Sequence, residues 1–332
     1  MIKKRLIIST VFTLIIVILY QFIDINLFTI DLPRRVSSEL FRSLRNDPGV
    51  ESEIVILDIE YVQLDTVKSY LELLESLKPK SIGVNLCNIE DKSELLDKYL
   101  SQSKNIITCD CSLNTNKGTS RITTPKNEVT HFQTDQGAYF ELQLSSKLNG
   151  LNERANNKER INFRAVSMYY SILLTEIRNI SPEIIKDKTI LVGSLRDNLV
   201  TPMNYWYGRP GNIEGDMSDA QISANIISTI NRDEFINDIN LFLRVLIILT
   251  VSLVCTGLIR LLRTKSNSIN IILGLVILIV LNGLSSYIIV FAFSKKYYLE
   301  LNEMTFVLII SAIVSIYWNT KDRHGISPQH QI

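Results

Sequence analysis

Residues 53–59 read EIVILDI, a run of aliphatic and β-branched residues that predicts a buried strand. Asp65 is a suitable N-cap for the helix that follows, and the sequence KPK at residues 78–80 ends that helix because proline cannot continue it. Residues 81–87 (SIGVNLC) predict a second strand. A strand, a helix and a strand in this order form a βαβ unit, in which the two strands lie parallel.

The alternation of strands and helices continues along residues 24–240. A helix is predicted over residues 92–101 and a third strand over residues 105–111. Further on, the sequence predicts two antiparallel strands at residues 129–132 and 138–144, and a short strand at 163–166. A helix is predicted over residues 167–177, a buried strand over 188–193 and an amphipathic helix over 216–230. Polar residues over 112–127 and 148–160 predict loops. This pattern predicts one α/β domain with a mixed, mostly parallel sheet covered by helices.

Four apolar stretches lie outside this region. They cover residues 6–23, 241–262, 269–293 and 301–318, and about 20 such residues span a bilayer. A cleaved signal peptide is the alternative for the first stretch, but the small residues of a cleavage site are absent from its end. Buried core helices are the alternative for the other three. Because short polar loops separate these three, we predict four transmembrane helices.

The basic residues of the short loops predict how the chain is oriented. Clusters at residues 3–5, 260–265 and 321–323 fall on the cytoplasmic side when both chain termini are in the cytoplasm, as the positive-inside rule expects. Residues 1–5 and 319–332 are then cytoplasmic, and residues 24–240 are extracytoplasmic. The sequence therefore predicts a multi-pass protein of the inner (cytoplasmic) membrane, with the lipid bilayer as its first partner.

Composition and motifs argue against several function classes. The 35 Lys+Arg residues balance 34 Asp+Glu residues, so no basic excess indicates a nucleic-acid partner. Four cysteines in 332 residues are too few for a disulfide scaffold. The signatures of serine hydrolases, zinc proteases, P-loops and dinucleotide-binding folds do not occur. His131 is best interpreted as a half-exposed strand residue, and we predict no enzyme, no cofactor and no metal site.

Carboxylates follow several of the predicted strands. Asp58 and Glu60 end the first strand, Asp110 lies at the third, and Asp197 follows the strand that ends at Gly193. Open parallel sheets bind ligands beyond the carboxyl ends of their strands, so these acids are candidates to surround a cation or a polar ligand. The alternative is that they cap helices and turns, as Asp commonly does.

Three of the four cysteines lie in the predicted extracytoplasmic domain. Cys87 could form a disulfide with Cys109 or with Cys111, since all three fall near the ends of neighbouring strands. Metal binding by Cys109 and Cys111 is the weaker alternative, because no further Cys or His residues cluster nearby. Cys255 lies inside a predicted span.

The predicted spans contain small or weakly polar residues at helical spacing. The pairs are Ser252 and Thr256, Asn282 and Ser286, and Ser311 and Ser315. Small residues four positions apart allow membrane helices to approach closely, so we expect a packed helix bundle.

Several segments between residues 30 and 240 share the order of motifs of a known family. The first strand ends in an acidic residue, and the second fits the pattern gp-x-aIgfD with Asn85 in place of the usual Asp. Residues 162–164 are similar to a G-x-x-R segment. The strongest match is to the block K-x-x-x-iG…D…TP, formed by residues 188–193 with Asp197, Thr201 and Pro202.

The last matching segment is residues 222–230, which fit the helix pattern ihAn-x-i-x-t-l with Ser223 in place of the usual His. Taken in this order, and with one span before and three after, the segments resemble the CHASE2 family of extracellular sensory domains. The resemblance implies an extracytoplasmic sensory domain that typically precedes a cytoplasmic kinase or cyclase module. The residues after 318 are too few to fold, so we expect the output to come from a partner protein.

We therefore predict a membrane-embedded extracytoplasmic sensor of CHASE2 type without its own catalytic output. Its ligand or extracytoplasmic protein partner is unknown, the signal passes through the transmembrane bundle to a separate partner, and a homodimer is a possible assembly. The predicted ligand-binding residues are Asp58, Arg164, Asp197 and Thr201. A structural ion pair or a turn contact is the alternative for Arg164 and Asp197.

Two other function classes remain open. The first is a non-sensing scaffold subunit of a membrane or cell-envelope complex. The second, which we rank last, is a membrane-anchored enzyme that acts through the strand-end carboxylates. Residues 205–207 (YWY) could form a contact platform, pack as a lid or anchor the domain to the membrane surface.

Overall fold

A computed structural model of the chain describes residues 49–59, 62–86, 93–109, 119–123, 129–134, 139–145, 157–196, 198–199, 217–262, 266–298 and 307–317. The chain divides into two compact units, one formed by Asn46–Asn237 and the other by Met1–Arg45 together with Asp238–Ile332. We call the first the α/β unit and the second the helical unit. The α/β unit falls within the predicted domain of residues 24–240.

The described strands and helices follow one another along the chain. The strands are β1 (Glu51–Asp58), β2 (Ser81–Asn85), β3 (Ile106–Thr108), β4 (Arg121–Thr123), β5 (Val129–Gln133), β6 (Lys158–Arg160), β7 (Tyr169–Leu173), β8 (Thr189–Gly193), β9 (Asn198–Leu199), β10 (Met217–Ser218), β11 (Asn237–Asp238) and β12 (Tyr297–Tyr298). The α-helices are α1 (Leu64–Ser76), α2 (Glu94–Gln102), α3 (Phe140–Leu144), α4 (Asp219–Asn231), α5 (Leu241–Leu261), α6 (Asn267–Ser294) and α7 (Val307–Tyr317). Short 3-10 helices cover Val166–Met168, Leu174–Asn179 and Pro182–Ile184.

A parallel sheet forms the centre of the α/β unit. Its strand order is β3-β2-β8-β1-β7, and each strand lies parallel to its neighbours. Strand β8 lies between β1 and β2, so Gly193 is level with Asp58 on one side and with Asn85 on the other. A separate antiparallel sheet has the order β4-β5-β6. The predicted α/β fold with a mostly parallel sheet is therefore confirmed.

Strand β1 is buried on both of its faces. Val55 and Leu57 pack with residues of α1 and α2 on one face, whereas Ile54 and Ile56 pack with residues of α3 and α4 on the other. Each of these four side chains is at most 1% exposed. A parallel strand that is covered by helices on both faces needs apolar residues at every position, which explains the continuous run in the sequence.

The helices begin at capping residues that differ in part from the prediction. Asp65 is not the N-cap of α1, because that helix begins at Leu64 and its N-cap is Gln63. Asp65 lies in the first turn instead, where its carboxylate accepts a 2.6 Å hydrogen bond from the Ser93 hydroxyl. Ser93 is itself the N-cap of α2 and accepts from the backbone N–H of Leu96. The two helices are therefore tied together at their first turns.

The prediction of a helix over residues 167–177 is wrong. Residues 169–173 form strand β7, which pairs with β1, and the stretch is helical only in the short 3-10 helices before and after this strand. Leu174 and Ile177 are buried on one side of that 3-10 helix, and this spacing resembles the spacing of an α-helix. Residues 169–173 form a strand because pairing with the open edge of β1 satisfies the hydrogen-bonding groups of their backbone.

The predicted pairing of residues 129–132 with 138–144 is also wrong. Strand β5 pairs with β4 and β6, which form inside the predicted loops 112–127 and 148–160, and residues 140–144 form helix α3. The predicted strand at residues 163–166 does not form either. Helix α3 is favoured because Phe140 and Leu144, one turn apart, both pack onto the sheet at Gly83.

In the described part of the helical unit, two helices are long and apolar enough to cross a membrane. They are Phe242–Leu261 within α5 and Ser268–Ile289 within α6, in agreement with two of the predicted spans. The predicted span at residues 6–23 lies outside the described residues. Residues 307–317 of the predicted span at 301–318 form the apolar helix α7, and the rest of this span lies outside the described residues.

Helices α5, α6 and α7 pack together through an apolar cluster. Its buried residues are Cys255, Ile259, Ile277, Leu281, Leu308 and Ala312. The Ser252 and Ser311 hydroxyls form a hydrogen bond between α5 and α7. Thr256 and Ser315 are also buried, whereas Asn282 is half-buried and donates to the Leu278 carbonyl of its own helix at 2.9 Å. The expected close packing at small residues is therefore found for α5 and α7.

Replacing Gly83 by valine should destabilise the α/β unit. A Cβ atom at Gly83 would lie 2.8 Å from Cζ of Phe140, so α3 would have to move away from β2. Overpacking of this kind costs about 1–3 kcal/mol, and thermal unfolding of the full chain in detergent should show a lower Tm. Gly257→Ala is the control, because no atom lies within 4 Å of a Cβ there. A Gly83→Val protein with an unchanged Tm would contradict this packing.

Candidate functional site

The carboxyl ends of β1, β8 and β2 lie side by side at one edge of the parallel sheet. Asp58 is only 5% exposed, and its Oδ1 atom accepts a 3.2 Å hydrogen bond from the backbone N–H of Leu195. Asp58 therefore holds the turn that follows β8, which is a contact of the turn-capping type. The other predicted strand-end residues, which are Glu60, Asp110, Asp197 and Thr201, lie outside the described residues, and so do residues 205–207.

A cluster of polar side chains lies beside this edge of the sheet. Asn85 at the end of β2 donates from Nδ2 to Oδ2 of Asp219 at 3.1 Å. Asp219 is the first residue of α4 and also forms an ion pair with Arg121 of β4. The Glu141 carboxylate, which is fully buried, accepts from the Ser120 N–H at 2.8 Å and from the Ser223 hydroxyl at 3.0 Å.

We call Asn85, Arg121, Glu141, Asp219 and Ser223 the carboxyl-edge cluster. Two of its members occupy the positions at which this chain departs from the usual family pattern. An aspartate at position 85 would place a second carboxylate beside Asp219, whereas Asn85 donates a hydrogen bond to it. Ser223, in place of the usual His, bonds to Glu141.

Burial and charge act in opposite directions on Arg121. Burial lowers the pKa of its guanidinium below the ordinary value, and the nearby Glu141 carboxylate and Cys109 thiol partly oppose this effect. Arg121 lies in a predicted loop and Glu141 in a predicted strand, so no sequence pattern indicates that the two side chains meet. The capping box formed by Ser218 and Gln221 places Asp219 at the start of α4, and such a box is visible in a sequence.

The cysteines near this edge are described only in part. Cys109 follows β3 and is buried, and its pairing with Cys87 stays a prediction. Cys87 and Cys111 lie outside the described residues, and their pairing stays a prediction. In the part of the chain that the structure covers, no three Cys, His, Asp or Glu side chains are grouped to hold a metal ion.

Arg164 lies at the opposite side of the α/β unit, away from Asp58 and the carboxyl ends of the strands. Its side chain is 1% exposed, although the sequence placed it among the ligand-binding candidates. Its guanidinium donates to the Ser228 hydroxyl at 3.0 Å, to the Gly49 carbonyl at 3.1 Å and to the Glu234 carboxylate at 2.6 Å. These contacts are those of the structural ion pair that was the alternative for this residue.

Glu51, the first residue of β1, completes this ion-pair network. Its carboxylate accepts from Nε and Nη2 of Arg232 at 2.9 Å and 3.2 Å, and also from the Ser228 hydroxyl at 2.5 Å. Nε of Arg164 lies 3.9 Å from the same carboxylate. We call Glu51, Arg164, Ser228, Arg232 and Glu234 the amino-edge network.

The amino-edge network holds the carboxylate of Glu51 in its charged form. Burial by itself raises the pKa of Glu51, but the hydrogen bonds from Ser228, Arg232 and the Glu53 N–H outweigh it, so the pKa lies below the ordinary value. The same pairing raises the pKa of Arg232. Two carboxylates thus face two guanidinium groups, and the network is electrically balanced.

The network joins the two ends of the α/β unit. Gly49 and Glu51 lie near the first residue of the unit, Asn46. Arg232 and Glu234 lie near its last residue, Asn237. Buried ion pairs contribute little net stability compared with apolar residues of the same size, and their best-attested role is to fix one arrangement of the chain. Here they fix the entering and the leaving segments against each other.

Comparison with known proteins identifies the family. A sequence model described as the CHASE2 domain matches residues 9–259, which cover the whole α/β unit and most of α5. The chain belongs to the CHASE2 domain family. CHASE2 domains are extracytoplasmic sensory domains. No curated protein and no solved structure matches the chain.

Replacing Arg164 by methionine should cost about 3–5 kcal/mol of folding free energy, because the buried Glu51 and the Glu234 carboxylate lose a shared cation. Chemical unfolding of the full chain measures this loss. Arg178→Met is the matched control, since Arg178 is exposed and only lies over the Tyr70 ring at 5.4 Å, a contact worth about 0.5–1 kcal/mol. Equal losses in both variants would contradict a special role for Arg164.

Replacing Glu51 by glutamine should make the free energy of unfolding less dependent on pH in the acidic range. Because the folded-state pKa of Glu51 lies below its ordinary value of 4.5, its charge stabilises the fold above that pH, and the contribution is lost as the pH falls through the lowered pKa. We expect the free energy of unfolding of the parent protein to exceed that of Glu51→Gln by about 2 kcal/mol at pH 7. The difference should shrink as the pH falls below 4.5, and a difference that is constant from pH 7 to pH 3 would refute the assignment.

Proposed function

We propose that the chain is a membrane-embedded sensor, in which the extracytoplasmic α/β unit receives a stimulus and passes it through the membrane helices to a separate partner protein. The family match carries this proposal, because it covers the α/β unit together with the segments that precede it and most of α5. We further propose that the chain acts by binding and transmission and has no catalytic activity of its own.

The proposed membrane arrangement has four spans, both termini in the cytoplasm and residues 24–240 outside. The composition and exposure of α5 and α6 support the two spans at residues 241–262 and 269–293. Only 28% of the most apolar segment of α5 and 22% of that of α6 are buried. Leu261 of α5 is 81% exposed, and Ile279 of α6 is 70% exposed. An apolar surface of this extent is unfavourable in water and favourable in lipid.

The amino-edge network supports the proposed route of transmission. A stimulus that shifts one end segment of the α/β unit must also shift the other or break buried ion pairs, because Arg164 and Glu51 hold both segments. The displacement would then reach the helices on either side of the unit as a change in their relative position. A packed bundle with two alternative arrangements can convert such a displacement into a signal.

Reporter fusions test the membrane arrangement on which the sensor depends. Alkaline phosphatase inserted near residue 120 should be active, because this enzyme works only outside the cytoplasm. A fluorescent protein fused after residue 332 should be fluorescent, because it folds in the cytoplasm. The exchanged pair of reporters is the control and should be silent. An active cytoplasmic reporter near residue 120 would refute an extracytoplasmic sensor.

Co-purification from membranes followed by mass spectrometry tests the proposed output. We expect a kinase, a cyclase or another signalling protein to be recovered with the chain, and to be recovered less with Arg164→Met than with Arg178→Met at equal protein levels. Recovery of cell-envelope assembly proteins alone, and in equal amount with both variants, would favour the scaffold subunit instead.

A further inference from the structure

A cavity opens in the α/β unit beside the amino-edge network. It has a volume of about 140 Å³ and lies where β1, β2 and β8 begin and α4 ends. Its polar lining residues include Glu51, Glu53, Lys80, Thr189, Asn231 and Arg232. The cavity is therefore at the edge of the sheet opposite to the one where ligands of parallel sheets usually bind.

The cavity is lined by two acidic and two basic side chains, and these differ in how many of their polar atoms already form hydrogen bonds. Both oxygens of Glu51 already accept hydrogen bonds. Arg232 uses Nε and Nη2 for Glu51, and no bond of its Nη1 atom is found among the described residues. Lys80 and Glu53 are exposed, and the Glu53 carboxylate receives a side-chain hydrogen bond of 3.5 Å from Ser52. Two cationic donors and one carboxylate thus remain for a ligand.

This distribution of charge selects a ligand that carries both signs. An anion alone would face Glu53, and a cation alone would face Lys80 and Arg232. Asn231 is the last residue of α4, and the C-terminal end of a helix carries partial negative charge, which also favours a cationic group in this cavity. A molecule with one anionic and one cationic group satisfies all of these positions.

The size of the cavity restricts the ligand further. Pockets for drug-sized molecules have volumes of about 300–1,000 Å³, so this cavity cannot enclose a whole nucleotide or a folded peptide segment. A volume of about 140 Å³ accommodates a compact molecule of a few non-hydrogen atoms. Free amino acids and the small ammonio acids related to them have this size and both charges.

We propose that this cavity is a binding site for a small zwitterion of amino-acid size, with its anionic group on Lys80 and Arg232 and its cationic group on Glu53. The inference rests on the proposed sensor function and names its stimulus class. Arg232 belongs both to the cavity and to the amino-edge network, because its side chain also holds Glu51. A ligand bound to Arg232 therefore acts directly on the contacts that join the two ends of the unit.

Binding of defined probes to the full chain in lipid nanodiscs tests the site. The probes are glycine, L-alanine, taurine and glycine betaine, each titrated separately by calorimetry, with acetate and methylammonium as single-charge comparisons. We expect at least one zwitterion to bind at least tenfold more tightly than either single-charge probe. If acetate binds as tightly as every zwitterion, or if no zwitterion binds, the proposal is wrong.

Two substitutions locate the binding. Lys80→Met should weaken the affinity for the bound zwitterion at least tenfold, and Glu53→Gln should weaken it severalfold. Both residues are exposed, so the fold should be retained, and an unchanged Tm verifies this. Lys98→Met and Glu94→Gln, at exposed positions on α2, are the matched controls and should leave the affinity unchanged.

The result distinguishes this site from the sensor function itself. Zwitterion binding that is unaffected by Lys80→Met and Glu53→Gln would overturn the assignment of the cavity and leave the sensor proposal intact. A cytoplasmic location of the α/β unit in the reporter experiment would overturn the sensor, whatever the titration gives.

Discussion

The insertion of β8 between β1 and β2 is the contact on which the rest of the α/β unit depends. Through it, residues far apart in the sequence come together at both edges of the sheet: Asp58, Asn85 and Gly193 at one, and the starts of the same three strands at the other. The helices on the two faces complete the core. Without this pairing, neither the carboxyl-edge cluster nor the cavity of the amino edge would exist.

The two edges of the sheet use buried charge differently. At the carboxyl edge, one guanidinium group faces two carboxylates, and amide and hydroxyl groups supply the remaining hydrogen bonds. At the amino edge, two guanidinium groups and two carboxylates balance, and they connect segments that lead towards the helical unit. The second arrangement joins a segment near the beginning of the unit to one near its end, because Arg164 bonds to both Gly49 and Glu234.

Some of the fold can be predicted from the sequence, and the reasons are local. The buried strand β1, the βαβ unit and the apolar helices α5 and α6 follow from continuous hydrophobic runs, and the order of the motifs indicated the family. Strand β7 and helix α3 could not be predicted, because the open edge of β1 and the space above Gly83 decide them. Arg164 was noticed as a family motif, but its partners Glu51 and Glu234 carry no sequence signal, since 113 and 70 positions separate them from it (164 − 51 and 234 − 164).

The position of β8 also affects how the chain acquires its structure during synthesis. Strands β1 and β2 leave the ribosome long before β8, with a gap between them that only β8 fills, so the early half of the unit exposes unpaired strand edges. Closure of the gap by such distant residues is slow compared with local helix formation. Arg232, which pairs with Glu51 of the first strand, is made only just before α5. The nascent protein thus needs protection from aggregation until nearly the whole unit has been translated.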